Sequence, residues 1–493
     1  MDRDSVVVIG AGLGGLSAAV SLAASGHRVT VVEKNEHFGG KLNELEDEGF
    51  RFDLGPSILT MPWVFQDLFR RAGKKFEDYV EIQRLPLEWR SFFEDGVVLD
   101  LHSDLDKMLG PDSILEDADV ASLREYMDYS RRMYELAEEG YFKAGLDTMR
   151  EVIKHYGLVR ALRGFDVFST VNDVVTDHIG NPYLRDVLNF FVKYVGSSPY
   201  RAPAVLNLLA YVQNEFGLWY VKGGLYRLAE GIYRLARELE VEFHFGETVV
   251  DAAFESGRLI SVTTDRGGSY RADRFVSNVE VIPFYRDISG EKGSELAAYD
   301  SFEPSCSGFV LHLGVAREYP QLAHHNFFFS DDPVTHFRSV FEDYSLPQDP
   351  TIYLVATTRT DPTTVPSGHE NIKILPHIPH LRGEPFSTGE RANFEDIVLD
   401  KLERMGLEGL RENTVYRDVW WPEDIRDMYR SNRGSIYGVV SDIDKNRGFK
   451  APKKSSLYSN LFFVGGSVNP GGGMPMVTLS GQMVADMIDE ARK

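Results

Sequence analysis

Residues 6–33 read VVVIGAGLGGLSAAVSLAASGHRVTVVE, and their order decides the fold. Residues 6–9 are a short, continuous apolar run of the kind that forms a buried parallel strand. Gly10, Gly12 and Gly15 then supply G-x-G-x-x-G. The first glycine permits the tight turn, the second lets a pyrophosphate approach the backbone, and the third lets the next helix pack on the sheet. Leu16, Ala19, Val20 and Ala23 recur at helical spacing. The N-terminus of that helix offers free N–H groups and a partial positive charge to phosphates. Residues 29–32 form a second strand closed by Glu33, whose carboxylate can accept hydrogen bonds from a ribose. The glycines fall between a strand and a helix, with an acid at the right distance, so the pattern predicts a dinucleotide site.

The chain has 493 residues, enough for two or three domains' worth of core. A hydrophobic content of 43% with 26% charged residues describes a globular protein. The net charge of −22 argues against nucleic acid, whose phosphates it would repel, and limits any membrane contact to a local patch. Cys306 is the sole cysteine, so no internal disulfide and no cysteine-based metal site is possible; this fits a reducing, cytoplasmic compartment. The first residues run straight into the apolar strand without the pattern of a signal peptide, and no run of 18 apolar residues offers a membrane span.

Outward from the opening unit, Gly39, Gly40 and Lys41 follow Glu33 closely enough to border the same ligand. Residues 49–57 read as a strand ending in the rigid turn Gly55-Pro56-Ser57. From about 104 to 216 the pattern turns helical. Residues 148–168 place Met149, Val152, Ile153, Tyr156 and Val159 on one face among Arg150, Lys154, Arg160 and Arg163. Such a stretch suits a membrane interface or a surface helix packed on its own core, and Gly157 weakens its continuity. Phe190, Phe191, Tyr194, Leu208, Tyr211 and Trp219 are candidate walls of a long apolar channel. Residues 242–252 read as one strand, and 259–264 with 269–278 as a hairpin around Asp265-Arg266-Gly267-Gly268. Residues 300–420 alternate strands and helices; His324, His325, His377 and His380 lack metal-ligand spacing, so no metal is expected. At the far end a strand at 461–464 leads into GGSVNPGGGMP (465–475) and a helix from 476. A second glycine loop opening a helix implies a large cofactor held at both ends of the chain, which FAD satisfies better than NAD.

These segments together resemble the flavin amine-oxidase and phytoene-desaturase superfamily, and within it the bacterial carotenoid desaturase and oxygenase branch. The resemblance runs through VVVIGAGLGGLSAA, FDLGPSILTMP, VGSSPYRAPAVL, GLWYVKGG and the loop at 465–475. Desaturases of the branch usually carry Thr-His-Pro-Gly in that loop; here Val468-Asn469-Pro470-Gly471 stands instead, the best single mark against a plain desaturase. The resemblance implies an α/β fold: a discontinuous, Rossmann-like FAD-binding domain (GR2-type) carrying a mixed α+β substrate domain. It divides the chain into FAD-binding pieces at 1–100, 221–300 and 421–493, a helical, membrane-facing piece at 101–220 and substrate-domain strands and helices at 301–420. It implies oxidation of a terminal methyl of a C30 carotenoid to an aldehyde by O₂ in staphyloxanthin-type biosynthesis. Desaturation of such a carotenoid is the alternative, and a carrier without turnover a third reading. The protein would sit peripherally on the inner face of the cell membrane, in contact with lipid. Gly10, Gly12, Gly15 and Glu33 would hold the nucleotide, with Val250 meeting the adenine through its backbone. Gly39, Gly40, Lys41, Gly55, Pro56 and Ser57 would border the cofactor. Gly465, Gly466, Gly472, Gly473, Met474 and Met476 would approach the ribityl chain and flavin ring, with Asn469 as the candidate catalytic residue facing flavin and substrate.

Overall fold

Ser5–Ile9 is the middle strand of a five-stranded parallel sheet. Its neighbours in order are Leu461–Phe463, Arg274–Ser277, Ser5–Ile9, Arg28–Val32 and Glu242–His244. The computed structural model that shows this describes residues 4–110, 113–291, 293–300, 302–445 and 448–491. Both faces of the sheet are covered, which is why residues 6–9 are apolar without alternation. Val6 and Val8 face a helical layer of Leu13–Ala24, Pro62–Arg71, Tyr226–Glu238 and Met474–Glu490. Val7 and Ile9 face the other way, toward a three-stranded antiparallel sheet and the short helical segment after Glu280.

Residues 242–252 are two strands, contrary to the single one expected. Gly246 stands at φ +68 and its N–H donates to Asn35 O, so the chain turns between Glu242–His244 and Val249–Glu255. The expected hairpin arm 269–278 is likewise divided. Ser269–Arg271 closes the three-stranded sheet, and Arg274–Ser277 crosses into the parallel one. Asp273 fixes that crossing by accepting from Ser5 N at 2.8 Å and Ser5 Oγ at 2.7 Å.

Above this layer lies an eight-stranded mixed sheet. Thr414–Trp420, Val310–Val315, Glu370–Ile378, Ile352–Ala356, His325–Phe328, Trp89–Phe92 and Val98–Leu101 lie in that order, with Ser307–Gly308 added beside Glu370–Ile378. Trp89–Phe92, inside the stretch assigned to the first FAD-binding piece, therefore pairs with this second sheet, in parallel with His325–Phe328. Side chains alternate along its strands. Ile372 and Ile374 pack under the helix Thr388–Arg404, whereas Lys373 and Leu375 face a cavity. A helical layer closes that side: Asp117–Ala137, Val171–His178, Pro182–Phe190 and Leu208–Phe216.

The stretch 148–168 forms two short helices, Met149–Tyr156 and Leu158–Gly164, broken at Gly157 with φ +77. Thr148 caps the first reciprocally with Glu151. Val152, Tyr156, Ala161 and Phe165 pack inward. Ile153, Leu158, Val159, Leu162 and Phe168 remain exposed, Phe168 at 87% and Val159 at 69%, so the segment is both a packed surface element and an apolar patch. Among the described residues no helix is long and apolar enough to cross a membrane.

Candidate active site: a cleft between two helix N-termini

One continuous cavity runs from the edge of the parallel sheet to the underside of the mixed sheet. At its first end lie Gly10, Gly12, Leu13 and Gly14. The helix Leu13–Ala24 has no side-chain cap on Gly12 and no acid in its first turn, so its end keeps an unneutralised positive potential. The helix Met474–Glu490 starts at Gly473 in the same way, with no side-chain cap and no acid, and Gly472 to Val477 line the same cavity. The two helices pack on each other, with Ser17 Oγ donating to Thr478 O at 2.6 Å. A Cβ on Gly15 would stand 2.1 Å from Gly10 O, so only glycine lets this helix seat on its strand. Gly15 is therefore a packing residue beside the cavity rather than part of its wall.

Asn278 joins the two ends of the chain, a role no sequence motif announced. Its Oδ1 accepts from Gly15 N at 3.1 Å and its Nδ2 donates to Val464 O at 3.3 Å. Glu33 lines the cavity and its buried carboxylate accepts from Ala11 N at 2.6 Å and Asn35 N at 2.9 Å. Burial raises its pKa, and these two N–H donors oppose the rise. Each oxygen keeps a second lone pair for a ligand hydroxyl.

Gly39, Gly40, Lys41, Gly55, Pro56, Ser57, Gly465, Gly466, Gly472, Gly473, Met474 and Met476 all line the cavity. Lys41 Nζ donates to Ser435 O at 3.0 Å and pairs with Glu280 at 3.6 Å. Burial lowers the Lys41 pKa and Glu280 opposes it. Lys373 Nζ donates to Asp53 O at 2.8 Å, to Ser57 Oγ at 3.1 Å and to Gly55 O, and so clamps the Gly-Pro-Ser turn. Lys373, Glu280, Arg430, Lys193 and Tyr437 are lining residues that sequence reasoning missed. Period-two alternation beneath an apolar strand was the signal for Lys373.

Two expected site residues lie off the cavity wall. Val250, expected to meet the adenine through its backbone, is not among the lining residues and its side chain is 42% exposed; its neighbour Val249 lines the cavity. Asn469 does not reach the cavity. Its Oδ1 accepts from Lys450 N at 3.1 Å and its Nδ2 donates to Asp147 O at 3.2 Å, so it is a buried structural amide. Of the proposed channel walls, Tyr194 and Leu208 line the cavity, joined by Phe142, Leu209 and Val212. Phe190, Phe191, Tyr211 and Trp219 pack into the surrounding core instead. His324 and His325 are core residues too, His324 bonded to Thr360 Oγ1 at 2.7 Å and His325 to Tyr353 Oη at 2.9 Å. Among the described residues no group of three or more His, Cys, Asp or Glu could hold a metal ion.

The two uncapped helix ends, the buried Glu33 and the glycines between them fit a dinucleotide. The family described as flavin-containing amine oxidoreductase matches residues 13–489. The chain belongs to that family. It is an FAD-dependent oxidoreductase, with an α/β, Rossmann-like FAD-binding layer and a mixed substrate layer. It is 52% identical over 490 residues to a 4,4'-diaponeurosporene oxygenase of Staphylococcus haemolyticus, covering 99% of this chain and 98% of that one. It is 52% identical over 485 residues to the protein of the same name in Staphylococcus aureus (strain USA300), covering 98% of each. An oxidoreductase from Methanosarcina mazei shares the fold with a TM-score of 0.66 at 16% identity, over 98% of this chain and 100% of that one.

Proposed function

We propose that this chain oxidises a terminal methyl group of a C30 carotenoid of the 4,4'-diaponeurosporene type to an aldehyde in staphyloxanthin-type biosynthesis. The observation that carries the reading is the continuity of one cavity. Its polar end is built for a dinucleotide, and its other end is walled by Phe142, Tyr194, Leu208, Leu209 and Val212. A polyene offers no polar handle, so apolar burial at about 25 cal/mol per Å² must hold it. The full-length identity to relatives named 4,4'-diaponeurosporene oxygenase supports the same reading.

In this proposal Gly12, Leu13 and Gly14 hold the pyrophosphate through backbone N–H groups, Glu33 a ribose, and the Val249 backbone the adenine. Gly466, Met474 and Met476 border the flavin end together with the Lys373-clamped Gly55-Pro56-Ser57 turn. The flavin, when bound, supplies the redox chemistry; the chain orients the substrate and keeps water out. Overall, R–CH3 and O₂ give R–CHO and H₂O, which balances without an external reductant.

The exposed patch at 153–168 supports peripheral contact with the inner face of the cell membrane, where such a substrate dissolves. Tyr141 packs against the inner side of the patch and its neighbour Phe142 lines the cavity, so the patch and the cavity wall are adjacent in the chain. The deciding experiment is expression in cells that make diaponeurosporene, followed by the mass of the product. A gain of oxygen supports the reading; loss of hydrogen pairs without oxygen selects a desaturase and overturns it.

A further inference from the structure

The apolar end of the cavity contains an amine, Lys193 Nζ, that has no partner among the described residues. Lys193 lies in the turn Phe191–Val195, directly after the helix Pro182–Phe190, and is buried on the cavity wall. Its Nζ stands 3.7 Å from the ring centroid of Tyr353, 4.1 Å from that of Trp89 and 4.1 Å from that of Phe327. The Tyr194 ring is 5.3 Å away. Among the described residues Lys193 Nζ makes no hydrogen bond and no ion pair. The other cavity lysines differ: Lys34 donates to Asp427 O, Lys41 to Ser435 O and Lys373 to Asp53 O.

Three ring faces surround the amine; among the described residues Trp89 Nε1, within the cage, is buried without a partner, and Tyr353 Oη is bonded to His325 Nδ1. Burial pushes the Lys193 pKa far down, while ring faces favour the cation. In either state the amine keeps N–H donors that no protein acceptor takes up. A cavity shaped only for a hydrocarbon gains nothing from such a group, since methionine would fill the space without burying an unpaired donor. The acceptor must therefore arrive with the ligand.

We propose that Lys193 Nζ donates a hydrogen bond to the oxygen of a partly oxidised carotenoid end group, hydroxyl or aldehyde, and so retains the oxygenated end for completion to the aldehyde. This rests on the reading of the site as one that oxidises a terminal methyl. Lys193 thereby sets how far the oxidation runs, while the apolar wall sets which chain enters.

The test uses the FAD-loaded enzyme, wild type, K193M and K193Q, with diaponeurosporene, its terminal alcohol and its terminal aldehyde in identical micelles. The quantity read is the ratio of hydrocarbon Kd to alcohol Kd, from the polyene absorbance on binding. K193M is expected to lower that ratio by about 10-fold or more, with the alcohol accumulating in turnover; K193Q, which keeps an N–H donor, recovers part of it. Flavin content and melting temperature verify the fold of each variant. An unchanged ratio in K193M, or equal weakening of every ligand, overturns the proposal. A wild type that adds oxygen while K193M keeps the ratio refutes the Lys193 role alone. A wild type that prefers the alcohol through Lys193 but adds no oxygen to the hydrocarbon refutes the oxidation reading alone.

Discussion

Replacing Gly481 by alanine tests whether the flavin site depends on the contact between its two helices. Gly481 lies within Met474–Glu490, where that helix crosses Leu13–Ala24. A Cβ there would stand 2.6 Å from Ala18 N and 2.6 Å from Gly14 O. Both obstacles are backbone and cannot swing aside. Ordinary contact begins at 3.4 Å, so the helices must part by about 0.8 Å. Overpacking of this kind costs about 1–3 kcal/mol. The displaced backbone belongs to the first turns of one helix and carries the N–H groups offered to the pyrophosphate. The hydrogen bond from Ser17 Oγ to Thr478 O is stretched with it. If the strain falls on the bound state, FAD affinity drops by about 5- to 150-fold. G389A is the control: Gly389 sits in the helix Thr388–Arg404 with nothing within 4 Å of an added Cβ. The assay is flavin-to-protein stoichiometry, with FAD Kd from fluorescence quenching and thermal melting. A G481A protein with full flavin content, a Kd within about two-fold of wild type and an unchanged melting temperature would refute the reasoning.

Glu88 is 1% exposed, and burial pushes its carboxyl from 4.5 up to about 7. Its folded pKa exceeds the unfolded one, so its contribution is complete below pH 4.5 and is lost as pH rises through about 7. E88Q should gain about 3 kcal/mol over wild type at pH 8 and lose that gain near pH 4.5; an equal offset at both pH values in thermal melts counts against the assignment. N469A should cost about 1–3 kcal/mol in stability, because it strands Lys450 N–H, yet hold its activity per bound flavin. Loss of turnover in a stable, flavin-replete N469A would restore Asn469 to the chemistry. Replacing Leu158, Val159 and Phe168 by serine should weaken liposome binding about 100-fold in flotation. Unchanged flotation rules out the patch as the membrane contact. Arg160 is a poor probe of lipid, since it is bonded to Glu139 at 2.7 Å and stacked on Tyr156.

The local motifs were legible because their chemistry is local. Gly10, Gly12 and Gly15 act within one turn, and Gly39, Gly40 and the Gly55-Pro56-Ser57 turn lie where the chain order put them. What stayed hidden is what depends on contacts distant in sequence. The parallel sheet recruits Glu242–His244, Arg274–Ser277 and Leu461–Phe463, segments too short to carry a period of their own. Asn278 reads as an ordinary residue after a strand until the C-terminal strand arrives beside it. That Val249 rather than Val250 lines the cavity is set by the pairing of the strand, in which Val249 stands opposite Thr264. Asn469 stands in a loop that borders the cavity, but the Lys450 and Asp147 groups behind that loop turn it inward. Lys193 and Lys373 sat inside apolar runs, where a lone lysine looks like an interruption rather than a tool.

The helix-to-helix seam also orders events during synthesis. The nucleotide turn emerges early, while its partner helix and the strand Leu461–Phe463 emerge late. Until they dock, Asn278 has no Val464 carbonyl to hold and the first helix has bare backbone where Gly481 belongs. The cofactor pocket is thus incomplete until the helix Met474–Glu490 has docked. Yellow colour in a purified sample accordingly reports that the late segments have reached their place against the early ones, and a chain cut before Met474 should purify colourless however well its first sheet has formed.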